Sequence, residues 1–201
     1  MTTDFKPQLT QALINKGNNQ RDLSYFISNT DFNKYIPGAS SKVVKYGELD
    51  DKYATFEQLM PLKKDYCIIL IESETNRGHW TCLLRNDNEF EYFDPYGITH
   101  TKALKWTSEY MNQFLDNTES DLGTLINNMK PNQSIKINKT KYQNMKYIND
   151  VATCGRWCIA RIQSFMFGAN DGSDFKLFIQ NQCKQYNTPA DLLVVELTPL
   201  N

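Results

Sequence analysis

The sequence predicts an α+β fold: a central, mostly antiparallel sheet flanked by helices. Three observations lead there. Apolar runs of strand length, broken by short polar turns, fill the middle of the chain. Helical patterns lie on either side of them. A chain of 201 residues is long enough for one compact domain with a real core.

Residues 1 to about 60 read as a helical and loop-rich lead-in, with Pro37-Gly38 marking a turn. Strands are predicted at 66–73, 79–85 and 90–93. The turns between them lie at 74–78 and 86–88, and the three form an antiparallel meander. A helix is expected over about 102–116, with Leu104, Tyr110, Met111, Phe114 and Leu115 on its apolar face. Lysines 130, 136, 139, 141 and 146 occur in a stretch without acidic residues. It reads as a solvated hairpin or as a contact surface for an acidic peptide or nucleic acid. From Cys154 to about Phe167 the chain is apolar enough for a buried helix that Gly168 stops. Ser173 or Asp174 can cap the next helix, and Thr188-Pro189 starts a last one. The whole is a single domain, 1–201, with a core at 66–168 and C-terminal helices at 173–201.

Composition excludes several classes of function. A net charge of −1 gives no global attraction to nucleic acid or membranes. No apolar run approaches the roughly 20 residues that a membrane helix needs. The start, Met1 to Lys6, lacks the basic and apolar regions of a signal peptide, so a cytosolic product is expected. Five irregularly spaced cysteines fit that compartment. Cys67 and Cys82 lie in strand-like runs, where cysteine behaves as a small buried hydrophobe. With two histidines and no Cys-x-x-Cys pair, neither a zinc site nor another metal or organic cofactor is expected.

Three residues form a constellation for nucleophilic catalysis. Cys154 opens the apolar helix, where unpaired N–H groups and the helix dipole favour the thiolate. Gly155 lets backbone approach a substrate closely, and the Cys154 N–H can serve as an oxyanion donor. His79 begins a strand, and histidine suits proton transfer near neutral pH. Asp94 ends the neighbouring strand, which brings it beside His79 to accept the Nδ1–H. Trp80 is expected to pack over the pair and exclude water. His100 reads as a surface residue. Arg156 reads either as support for the thiolate or as an exposed helix-start side chain. Cys158, one turn after Cys154, is expected to pack in the core.

Gly78-His79-Trp80, Phe93-Asp94-Pro95-Tyr96-Gly97 and Thr153-Cys154-Gly155-Arg156-Trp157-Cys158 occur in that order. The series resembles the adenovirus-type cysteine proteases, the adenain family, which are related to SUMO-specific proteases. The Cys-Gly-Arg-Trp variant looks most like capsid-maturation proteases of virophages, giant viruses and related large DNA viruses. The resemblance covers residues 66–168. It implies a papain-like core and a thiol endopeptidase that uses Cys154, His79 and Asp94 on capsid or virion precursor proteins, in the virus factory of the host cytoplasm and in the virion. It also implies an upstream glutamine that completes the oxyanion hole. That points to Gln143, with Asn149 as the alternative amide at shorter spacing. Activation by DNA or a short peptide is a further implication. The same machinery could serve deconjugation of ubiquitin-like modifiers or acyl transfer, and a relative without activity could serve as a capsid-binding module.

Overall fold

The computed structural model describes residues 23–143 and 151–199. Its centre is a five-stranded sheet in sequential order: β1 (Val43–Lys45), β2 (Lys64–Glu74), β3 (Arg77–Asn86), β4 (Glu89–Phe93) and β5 (Ser134–Ile137). β2, β3 and β4 form the expected antiparallel meander. β1 joins β2 in parallel, and β5 joins β4 in parallel. The sheet is therefore mixed, antiparallel through its centre and parallel at both edges, and the lead-in contributes a strand to it.

Helices cover both faces. They are α1 (Phe32–Tyr35), α2 (Leu49–Lys52), α3 (Phe56–Leu59), α4 (His100–Leu104), α5 (Glu109–Phe114), α6 (Ser120–Asn127), α7 (Cys154–Met166), α8 (Gly172–Tyr186) and α9 (Ala190–Leu197). Successive strand residues point to opposite faces, and the core divides accordingly. Ile68, Leu70, Trp80, Cys82, Leu84 and Phe93 face α7, α8 and α9 through Trp157, Phe175 and Leu193. Cys67, Ile69, Ile71, Leu83 and Tyr92 face the other layer through Leu49, Phe56, Leu104 and Leu122. Burial on both sides explains why β2 reads as a continuous apolar run rather than an alternating one.

Several local expectations change. The helix predicted at 102–116 is two short ones. The Ser108 hydroxyl restarts the chain by accepting from Met111 N at 3.2 Å. Tyr110 and Phe114, assigned to a buried face, are exposed. Among its described residues the lysine-rich stretch forms no hairpin. Within its described part, Ser134–Ile137 is an edge strand, where lysine discourages pairing with another chain. Lys130 pairs with Glu57, and Lys136 lies 3.9 Å from Asp171. Asp171, not Ser173 or Asp174, caps α8, accepting from Ser173 N at 2.9 Å. Pro189 is itself the N-cap of α9. Gly168 takes the left-handed backbone that ends α7, as its position predicts.

Candidate functional site

The register of the meander carries the site. Cys82 pairs with Phe93, so Asp94 comes level with Thr81, two residues from His79 on the same face of the sheet. Asp94 is fully buried, and His79 is nearly so. His79 Nε2 lies 2.8 Å from Asp94 Oδ2. The sequence reading had Nδ1 on Asp94; with Nε2 turned to the carboxylate, Nδ1 is left for the cysteine. The His79 and Cys154 side chains line the same cleft.

Asp94 is held on all sides. Its Oδ1 accepts from Tyr96 N at 2.7 Å. The Asn138 side chain grips its peptide group, accepting from Asp94 N at 2.7 Å and donating to Asp94 O at 3.0 Å. Asn138 thus extends, by side chain, the parallel ladder that ends at Ile137. Gly97 turns the chain with φ +66, and a Cβ there would meet the Thr140 carbonyl at 2.8 Å. Nothing in the spacing of Asn138 from the motifs marks it as part of the site.

Cys154 is the first residue of α7. The turn before it is fixed from behind by Asp191 of α9, which accepts from Thr153 Oγ1 at 2.7 Å and Trp157 Nε1 at 3.3 Å. Gly155 serves packing, not substrate approach: a Cβ there would meet Ile27 Cβ at 2.7 Å. Arg156 is not exposed. It is fully buried, with Nη1 on the carbonyl and hydroxyl of Thr198. Cys158 is buried in the core.

The cysteine, the histidine and Gln143 line one cleft of about 300 Å³, together with Tyr96, Trp106 and Phe26. Gln143 is buried. Its Nε2 donates to Val151 O at 3.1 Å, which leaves the second amide hydrogen free of that bond. Its Oε1 has no hydrogen-bond partner among the described residues. Gln143 N and Tyr142 N both donate to Pro95 O, so the strap that carries the amide is tied to the turn after Asp94. Asn149 lies outside the described residues.

Trp80 does not cover the cysteine–histidine pair. It points to the other face, packs edge-on against Phe32 at 5.0 Å, and donates its indole N–H to Ile27 O. Tyr96 and Trp106 take that place, with ring centroids 5.2 and 5.3 Å from His79. Tyr96 sits inside the Phe93-Asp94-Pro95-Tyr96-Gly97 motif, in which the sequence reading gives a role only to Asp94. Trp106 falls between two helices that read as one. His100 is also corrected: it is buried between Tyr46 and Tyr92, and burial pulls its pKa below the usual histidine value.

Burial would likewise depress His79, but the Asp94 charge and hydrogen bond, followed by Cys154, outweigh it. They hold the imidazolium to a pKa of about 10. A thiol beside a charged, oriented imidazole, at a helix N-terminus in a narrow cleft, is equipped for nucleophilic attack and proton transfer. Among the described residues, no group of three or more His, Cys, Asp or Glu could hold a metal ion, and no helix is long and apolar enough to cross a membrane.

Fold and site together define an α+β protein with a mixed five-stranded sheet and a buried Cys–His–Asp series at one helix start. No family model matches the chain. It is 30% identical over 183 residues to uncharacterized protein V9 of Sputnik virophage, covering 89% of this chain and 99% of that one. The chain belongs to the same family as that virophage protein.

Proposed function

We propose that the chain is a viral cysteine endopeptidase that cleaves capsid or other virion precursor proteins during particle maturation, on a papain-like core of the adenain type. One observation carries the reading: His79, hydrogen-bonded to Asp94, lines one cleft with Cys154, the first residue of α7. The virophage relative supports a viral setting, and the virus factory and the virion are where such an enzyme works.

Cys154 passes its proton to His79 Nδ1 ahead of the attack, and the Sγ thiolate adds to the scissile carbonyl beside the imidazolium. Asp94 keeps Nε2–H pointed away from the sulfur and stabilises the imidazolium. The Cys154 N–H and the second amide hydrogen of Gln143 hold the oxyanion. Collapse expels the amine, which takes the proton from His79 and leaves a thioester. Water, deprotonated by His79, then releases the acid and restores the thiolate–imidazolium pair. Tyr96 and Trp106 shield the imidazole. On this reading Gln143→Ala lowers kcat by about 10²–10³ with KM little changed, read from initial rates on a peptide substrate.

The deciding experiment incubates the cognate virion proteins with native protein and with Cys154→Ala, adding DNA and short peptides in parallel arms. Fragments with defined ends from the native protein alone support the reading. Cleavage that survives Cys154→Ala sinks the mechanism. No cleavage in any arm turns attention to ubiquitin-like conjugates or to a binding role.

A further inference from the structure

Four lysines that the mechanism leaves unused stand along one rim of the catalytic cleft. Lys102 and Lys105 are the chain neighbours of Ala103 and Trp106, and Lys141 comes two residues before Gln143; Ala103, Trp106 and Gln143 all line the cleft. Lys139 flanks Thr140 on its other side. The backbone here packs directly on the turn after Asp94: a Cβ on Gly97 would meet the carbonyl carbons of Thr140 and Lys139 at 2.8 and 2.9 Å. Tyr142 N and Gln143 N, 2.9 and 3.0 Å from Pro95 O, tie the strap to the same turn. Trp106 N donates to Ala103 O at 3.1 Å, and the Trp106 ring meets Tyr96 at 4.9 Å. The backbone of both lysine pairs is thus held close to the cleft.

All four side chains are exposed. Among the described residues, none lies within ion-pair distance of a carboxylate, whereas Lys130 and Lys136 have Glu57 and Asp171. Residues 95–108 and 134–143, which carry this rim, contain no Asp, Glu or Arg. The opposite wall differs. Glu72 and Glu74, beside Ile71 and Ser73 of the cleft, face Lys45 at 3.1 Å and Arg77 at 3.8 Å. Positive charge is therefore uncompensated on one rim of a chain whose net charge is −1. Low-dielectric cleft walls focus such a field on whatever lies between them. An extended polypeptide with its scissile carbonyl at Cys154 advances about 3.3 Å per residue, so side chains roughly two to six residues away come within reach of these lysines. The rim offers ammonium point charges, which suit carboxylates in any orientation, and lacks the guanidinium fork that matches phosphate oxygens.

We propose that Lys102, Lys105, Lys139 and Lys141 form a basic collar that selects polypeptides carrying Asp or Glu on one side of the scissile bond. The inference rests on the endopeptidase reading for the identity of the ligand as a peptide. Two measurements keep the two ideas apart. Native protein is profiled on a random peptide library for cleavage, and Cys154→Ala is panned on the same library for binding. Both are repeated with Lys139→Glu plus Lys141→Glu, with Lys102→Glu plus Lys105→Glu, and with a duplex oligonucleotide as competitor.

The expected result is selection of Asp and Glu over Asn and Gln by roughly 3- to 30-fold at low ionic strength, on one side of the scissile bond. The ratio should shrink toward unity at about 0.5 M salt. Reversing either lysine pair should abolish it, and reversing both should favour Lys and Arg instead. Because the ratio is internal to each variant, a general loss of activity leaves it readable. Acidic selection in the binding arm, lost in the reversed variants, supports the collar even where no peptide is cleaved; the endopeptidase reading alone would then fail. Cleavage without acidic selection, or selection unchanged by the reversals, overturns the collar and leaves the endopeptidase reading standing. Absence of selection in both arms also overturns it. An oligonucleotide that binds through the same lysines more tightly than the selected peptides makes nucleic acid the occupant, and overturns it too.

Discussion

Asp94→Asn is expected to lower kcat by about 10³–10⁴ while the fold persists. The amide has nearly the shape of the carboxylate and keeps an oxygen for Tyr96 N, and the Asn138 grip on the peptide group at 94 needs no side-chain charge. It cannot, however, stabilise an imidazolium in a buried site. In the native protein the Asp94 charge, its hydrogen bond and then Cys154 overcome burial and raise His79 to about 10. Without the charge, burial prevails and the imidazole is neutral at lower pH.

The pH–rate profile should therefore change shape as well as height. On the endopeptidase reading its alkaline limb is expected near pH 10 in the native protein and closer to neutrality in Asp94→Asn. Stability follows the same linkage. A histidine whose folded pKa exceeds the unfolded value of about 6.5 stabilises fully below that pH, and the contribution is lost as pH rises through about 10. Native Tm should fall over that window, and the variant should not show this component. Turnover within threefold of native, with the alkaline limb in place, would remove Asp94 from the mechanism.

The parts of the site visible in the sequence are those built by short-range pattern. The His79–Asp94 pairing follows from two strands and a tight turn, where Asp87 adopts a left-handed conformation. A helix start after a polar loop places Cys154. The parts that were hidden depend on contacts distant along the chain. β1 has three residues, too few for a periodic signal, and its parallel pairing with β2 is fixed only by packing. Asn138 reaches Asp94 across 44 residues, and nothing local marks an asparagine for that task. Exposure is one of the two sequence readings of Arg156, and His100 reads as a surface residue; both side chains are buried. Their partners, Thr198 for one and Tyr46 and Tyr92 for the other, come from other elements. The break at Ser108 had a local signal, a serine followed by Glu109, but the apolar spacing on either side masked it.

A second large effect lies away from the cleft and concerns stability alone. Glu91 of β4 meets Arg161 of α7 in a two-pronged ion pair, Nε to Oε1 at 3.0 Å and Nη2 to Oε2 at 2.7 Å. Arg161 is completely buried; its remaining Nη1 donates to Ala169 O at 3.0 Å, and Phe165 and Phe175 flank it. This pair pins the helix that begins with Cys154 to the strand that ends beside Asp94. Glu91→Gln keeps the shape and strands a positive charge in the core, so a loss of about 3–5 kcal/mol is expected in urea unfolding. That is a large fraction of the roughly 5–15 kcal/mol of a typical domain. Exchanging both partners, Glu91→Leu with Arg161→Met, removes the charge together with its counter-charge and should cost markedly less than the single change. The ordering is the discriminating result. If the double variant is less stable than the native protein, the pair is a net source of stability. If it is more stable, the pair's contribution is to fix the register of α7 against β4, and with it the distance between the sulfur of Cys154 and the ring of His79.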